Sequence, residues 1–201
     1  MLKRTYKKAL NILYNHNVYS IYTTLFILMS FCVFYQFIIS GTSFLWKGDL
    51  SYNFKTFVYV SRYFKEFFHN LIVNNKIILN NFDFSMWEGY DILQALHYPS
   101  YGDPFVFFLF LVPDNHLYIY YEFCALLKIY LAGLGFITFL RHHKVYNNFA
   151  LLSGAFTYIF SYYSILNVAR HLCFLTGILY MPFILLGADY IFENKKPYIY
   201  I

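Results

Sequence analysis

Residues 117–140 read LYIYYEFCALLKIYLAGLGFITFL, an apolar run in which only Glu122 and Lys128 are charged. A helix that rises about 1.5 Å per residue crosses a hydrocarbon core of about 30 Å with a run of this length. Further apolar runs cover residues 19–39, 149–168 and 172–192, and residues 197–201 begin another. The chain is therefore predicted to be an all-α polytopic membrane protein.

The composition agrees with lipid as the solvent of this chain. Hydrophobic residues make up 60% of it and charged residues 12%, whereas soluble domains carry about 25% charge. The basic residues form no single stripe, which excludes nucleic acid as a partner. The three cysteines, Cys32, Cys124 and Cys173, lie inside apolar runs without CxxC spacing, and we interpret them as packing residues.

The basic residues also predict the topology. Clusters at residues 3–8, 141–144 and 195–196 fall on one side of the membrane if each predicted span crosses once, and the positive-inside rule makes that side cytoplasmic. The N-terminus is then cytoplasmic and residues 40–116 form a long outer loop. The run at 19–39 exceeds the apolar region of a signal peptide, so we interpret it as a retained anchor.

The end of the sequence predicts a continuation. A helix that starts at residue 197 and stops after one turn would leave backbone groups unpaired in lipid. We expect residues 1–201 to be the N-terminal part of a larger multi-spanning domain, or a truncated reading frame.

The outer loop is predicted to contain helices. Apolar residues recur at helical spacing over residues 52–72, opposite a polar face, which indicates an amphipathic helix in the membrane interface. The run at 105–112 is too short to span. Asp103 and Pro104 precede it and suit the N-cap and N1 positions of a short helix.

Asp49 follows the first predicted span in the turn Trp46-Lys47-Gly48-Asp49. A carboxylate at the outer surface can act as a general base toward an acceptor hydroxyl, or hold a divalent cation beside a phosphate. The alternative is a solvated loop residue or a helix N-cap.

Acidic and aromatic residues are concentrated between residues 84 and 104, around Trp87, His97 and Tyr98. Aromatic faces beside carboxylates suit sugar recognition, because a sugar presents apolar C–H faces together with hydroxyls. The alternative is that these aromatic side chains anchor the loop at the level of the lipid headgroups.

Three basic residues lie within or beside the spans. Lys128 is close to the middle of its span, where an ionisable residue is a functional candidate, here for substrate binding. It needs a partner outside its own helix. Arg170 and His171 end the third span, where they can bind the phosphate of a lipid-linked donor. Interfacial anchoring is the alternative for this pair.

The order and spacing of several motifs resemble the bacterial YfhO-like membrane proteins over most of the chain beyond residue 20. The motifs are Gly41 to Asp49, Phe84 to Trp87, Gly89 to Asp91, His97-Tyr98, Gly102-Asp103-Pro104, Lys128 to Gly133, Leu152 to Ser161, Arg170-His171 and Tyr180 to Gly187.

The resemblance implies a helical bundle of the GT-C type and a glycosyltransferase in the bacterial plasma membrane. Its donor would be a polyprenyl-phosphate-linked sugar, and its acceptor a cell-envelope polymer such as a teichoic or lipoteichoic acid. GT-C enzymes place an essential aspartate in the first outer loop, a position held here by Asp49. Asp103 is the second candidate, for acceptor or metal binding.

Two other functions are compatible with the sequence. Glu122 and Lys128 within a span suit a transporter or a lipid-carrier flippase. A non-catalytic scaffold, or an inactive fragment, is the third possibility.

Overall fold

The computed structural model describes residues 2–44, 49–84, 89–92, 94 and 103–193, with side chains only from residue 17 in the first stretch and from residue 53 in the second. The start of a fifth span at residue 197 lies outside the described residues, as do Trp87, His97 and Tyr98.

The described residues are mainly helical. The α-helices are α1 (Leu2–Val33), α2 (Tyr35–Ser40), α3 (Asp49–Val73), α4 (Leu117–His142), α5 (Asn148–Ile159), α6 (Tyr162–Arg170) and α7 (Leu172–Phe192). Two 3₁₀ helices, Val106–Leu111 and Asp114–His116, precede α4. A short antiparallel pair, β1 (Phe82–Asp83) and β2 (Tyr90–Asp91), places Phe82 opposite Asp91.

Two of the described helical segments, Asp114–His142 and Leu172–Phe192, are long and apolar enough to cross a membrane. The bent pair of α5 and α6 is a third if it forms one span, and Asn17–Val33 is a shorter apolar helix. The chain thus has membrane-spanning character at 117–140 and 172–192, as the apolar runs predicted.

The apolar run at 149–168 is not one helix. It breaks between Ile159 and Tyr162, where the Phe160 N–H donates to the Phe156 carbonyl at 3.0 Å. The residues after the break are less apolar: Ser164, Asn167 and Arg170 recur every third position on α6. Hydropathy averages over such a change, so the sequence did not reveal the bend.

The chain forms two compact units. The first comprises Met1–Thr42, Ile129–Tyr162 and Ile178–Ile201, and the second comprises Ser43–Lys128 and Tyr163–Gly177. In the first unit the ends of α4 and α7 contact each other through two His–carboxylate pairs. His142 Nε2 lies 3.4 Å from Glu193 Oε1, and His143 Nε2 lies 3.1 Å from Asp189 Oδ2.

The core of the first unit is built around Tyr22, which is fully buried. Its hydroxyl donates to the Tyr130 carbonyl at 2.9 Å, and its ring lies 5.4 Å from that of Phe156. A Cβ at residue 133 would stand 2.1 Å from the Tyr22 hydroxyl oxygen. Gly133 therefore provides the space that this phenol occupies, as small residues do at close helix contacts.

Pro182 lies inside α7 and leaves one carbonyl of that helix without its usual partner. A proline has no N–H, so the carbonyl of Ile178, four residues earlier, loses its helical hydrogen bond. The Tyr158 hydroxyl donates to this carbonyl at 2.8 Å. A side chain of α5 thus satisfies a backbone group that lipid would leave unpaired.

The second unit packs α3 against the 3₁₀ helix Val106–Leu111. Phe57 and Val60 of α3 are buried, as are Val106 and Leu109 of the facing segment. The Ser61 hydroxyl donates to the Leu109 carbonyl at 3.3 Å. The stretch that was predicted to be amphipathic thus packs part of its apolar face on protein, while Ile72 near its end is exposed.

Candidate functional site

The side chain of Lys128 is fully buried in the second unit and has three acceptors around its ammonium group. The Nζ atom donates to Asp103 Oδ2, to the Leu172 carbonyl at 3.0 Å and to the Thr176 hydroxyl at 2.9 Å. An ammonium group has three N–H donors, so every donor is used. Lys128 therefore acts on its surroundings by holding these groups in place.

Asp103 is the counter-charge of Lys128, and its side chain is only 5% exposed. Its other oxygen, Oδ1, accepts from the Phe105 N–H at 3.1 Å, which fixes the chain at the start of the 3₁₀ helix. Both carboxylate oxygens are thus engaged with the protein. The lysine ammonium and the N–H offset the hydration that this carboxylate loses on burial.

Arg170 and His171, at the junction of α6 and α7, are held by α3. Asn53 Nδ2 donates to the Arg170 carbonyl at 3.2 Å and lies 2.7 Å from His171 Nδ1. The next residue, Leu172, donates its N–H to the Tyr121 hydroxyl at 3.2 Å. The segment 170–172 therefore connects the Asn53 contact with the carbonyl that Lys128 binds.

Asp49 is the first residue of α3, and its side chain lies outside the described residues. The backbone of residue 49 lies one helical turn before Asn53. Asn53 is the residue that contacts His171. Residue 49 therefore lies at the N-terminal end of α3, and this end of the helix adjoins residues 170–172.

Glu122 has a partner of its own rather than Lys128. Its Oε1 accepts from the Phe44 N–H at 2.8 Å. This bond ties the segment after α2 to α4. Phe44, Asn53 and Asp103 thus each connect the chain between α2 and α4 to later residues of the second unit.

Among the described residues, no three His, Cys, Asp or Glu side chains are arranged to hold a metal ion. A cation beside Asp49 therefore stays a prediction from the sequence, since that carboxylate lies outside the described side chains. The roles predicted for Trp87, His97 and Tyr98 stay predictions for the same reason.

A family model described as bacterial membrane protein YfhO matches residues 20–201. The chain belongs to the YfhO family. No curated protein and no solved structure matches it. The match to the YfhO family includes Asp49, Asp103, Lys128 and the 170–171 pair, and it starts after the N-terminal basic cluster.

Sequence reasoning on this YfhO family member overlooked Asn53 and Thr176. Asn53 had one usable signal, since it lies four residues after Asp49, at the beginning of the predicted amphipathic helix 52–72. No sequence signal marked Thr176, because the hydroxyl of a threonine in an apolar run usually bonds to a carbonyl of its own helix. Its contact with Lys128 joins residues that are 48 positions apart.

Proposed function

We propose that this YfhO family member is a membrane glycosyltransferase of the GT-C type. It is a multi-pass protein of the bacterial plasma membrane with a cytoplasmic N-terminus, and it transfers a sugar from a polyprenyl-phosphate carrier to a cell-envelope polymer such as a teichoic acid. The supporting observation is the contact of Asn53 with the Arg170–His171 segment. It links the helix that begins at Asp49 to two basic residues.

The reaction needs a base and a site for a leaving phosphate. The Asp49 carboxylate takes the proton of the acceptor hydroxyl, whose oxygen forms the new bond to the anomeric carbon. The bond from that carbon to the phosphate oxygen breaks, and the polyprenyl phosphate leaves with the electron pair. Arg170 and His171 stabilise the charge that develops on this phosphate.

Asp103 and Lys128 have a positioning role in this proposal. Both oxygens of Asp103 are engaged, which favours Asp49 as the base. Lys128 holds the Leu172 carbonyl and so fixes the backbone next to His171. Trp87, His97 and Tyr98 contact the sugar, as their residue types suggest.

The test is sugar transfer by the full-length protein in vesicles, with a labelled polyprenyl-phosphate sugar as donor. We expect Asp49→Asn to lower the transfer rate by about 10²- to 10⁴-fold, because general-base catalysis contributes that much. Asp114→Asn is the matched control, since Asp114 pairs with Lys65 at 2.5 Å on an exposed surface. Wild-type rates in Asp49→Asn at equal expression would refute the proposal.

A transporter or lipid-carrier flippase is the second candidate, because Glu122 and Lys128 are ionisable residues within a span. Both have partners within the second unit, which favours a fixed role over one in a transport pathway. Sealed vesicles distinguish the two functions. A flippase moves labelled lipid-linked sugar between leaflets without forming product, whereas a transferase changes the mass of the acceptor.

A further inference from the structure

A cleft of about 500 Å³ lies in the second unit, between α3 and the chain around β1. One wall is a face of α3, formed by Tyr59, Arg62, Tyr63 and Glu66. These residues are spaced three, four and seven positions from the first, which places them side by side on a helix. The volume falls within the range of small-ligand sites, about 300–1,000 Å³.

Two tyrosine hydroxyls join the walls of the cleft. Tyr59 donates to Asp83 Oδ2 at 2.6 Å, and Tyr63 donates to the Asn80 carbonyl at 3.2 Å. Burial, and then the hydrogen bond to Asp83, raise the pKa of Tyr59 above its ordinary value. The phenol therefore stays a donor at neutral pH, and the cleft has its shape before a ligand arrives.

The opposite wall presents aromatic rings to solvent. Phe82 is 51% exposed and Phe84 is 83% exposed, with their ring centroids 4.9 Å apart. Gly89 permits this arrangement, because its φ is +96° and a Cβ there would lie 2.9 Å from Phe82 Cε1. Exposed rings beside polar groups suit a ligand with both apolar C–H faces and hydroxyls.

The charges of the cleft disfavour a strongly anionic ligand. The lining contains one basic group, the guanidinium of Arg62, and two carboxylates, those of Glu66 and Asp83. Arg62 Nε also lies 4.0 Å from the Asp114 carboxylate outside the lining. Phosphate would be repelled by this excess of carboxylates, whereas sugar hydroxyls donate hydrogen bonds to them.

We infer that this cleft binds neutral saccharide units. In the proposed transferase, these units belong to the acceptor polymer, and that assignment of the acceptor rests on the proposed function. The saccharide stacks on Phe84 and donates hydroxyl hydrogens to Glu66. On a teichoic acid, the cleft thus contacts glycosyl substituents and not the polyol phosphate backbone.

The experiment measures binding of maltotriose and chitotriose to the full-length protein in nanodiscs by calorimetry, without any donor sugar. A glycerol-phosphate trimer is the anionic comparator. We expect at least one trisaccharide to bind more tightly than the comparator, and Phe84→Ala and Glu66→Gln each to weaken that binding by about tenfold. Phe108→Ala is the matched control, since Phe108 is 54% exposed in the same unit and does not line the cleft.

The inference is overturned if neither trisaccharide binds, if both cleft variants bind like the wild type, or if the comparator binds more tightly. Both substitutions are on the surface, so the variants retain the fold. Binding without transfer would contradict the proposed function alone. Transfer without trisaccharide binding would contradict saccharide binding by the cleft and leave the proposed function standing.

Discussion

The two units of the molecule treat polar groups differently. Among the described residues, the buried polar and charged side chains all belong to the second unit: Ser61, Asp103, Lys128, Ser164 and Asn167. The described core of the first unit has tyrosine hydroxyls instead, and Tyr22 and Tyr158 use them to bond to backbone carbonyls. A membrane protein retains buried charge at a cost, so the second unit is where we expect function.

The largest expected effect tests the charged interior of the second unit. Lys128→Met leaves the Asp103 carboxylate buried without its counter-charge, and we expect the free energy of unfolding to fall by about 3–5 kcal/mol. Unfolding is carried out in mixed micelles and measured by the rate at which Cys124 is alkylated. This thiol is fully buried in the folded protein, so it reacts when the protein unfolds. Cys32 and Cys173 are replaced by serine in every variant, so that their thiols do not contribute to the alkylation signal.

The double variant Lys128→Met with Asp103→Asn separates charge from packing. An asparagine retains an acceptor for the Phe105 N–H and removes the unpaired charge, so we expect more than half of the lost stability to return. Equal destabilisation in the single and double variants would show that the loss does not come from the unpaired Asp103 charge, and would attribute it to the bonds of Lys128 to Leu172 and Thr176.

A smaller effect tests the packing of the first unit. Gly133→Ala introduces a Cβ 2.1 Å from the Tyr22 hydroxyl oxygen, and we expect a loss of about 1–3 kcal/mol, as overpacking costs in other cores. Gly177→Ala is the control, since a Cβ there has no atom within 4 Å. Similar stabilities for the two variants, by the same alkylation assay, would contradict this account of the Tyr22 core.

The smallest effect concerns Tyr158. Tyr158→Phe leaves the Ile178 carbonyl unpaired, and we expect a loss of about 1–2 kcal/mol. The loss should disappear in a Pro182→Ala background, because alanine restores the N–H that bonds to this carbonyl. A double-mutant cycle measures the coupling, and a coupling near zero would separate Tyr158 from the proline.

The sequence predicted those elements that depend on neighbouring residues. The apolar runs at 117–140 and 172–192 predicted segments with membrane-spanning character, and the spacing of apolar residues at 52–72 predicted a helix where α3 lies. Length and periodicity determine such elements without reference to distant parts of the chain.

The sequence was silent where a contact joins distant positions. It required a partner for Lys128, yet nothing local pointed to Asp103, 25 residues earlier. Tyr158 and the Ile178 carbonyl form a second such pair. The cleft at Tyr59 was missed for a related reason, because one of its walls depends on how the chain near Asp83 folds back on α3.

Pro182 has a consequence for the assembly of the protein during synthesis. The carbonyl that this proline leaves unpaired belongs to α7, while its donor, Tyr158, lies earlier in the chain. When the ribosome delivers α7 to the bilayer, the segment with the compensating hydroxyl has already been made. The order of the two helices in the gene thus lets the imperfect helix enter lipid beside its partner.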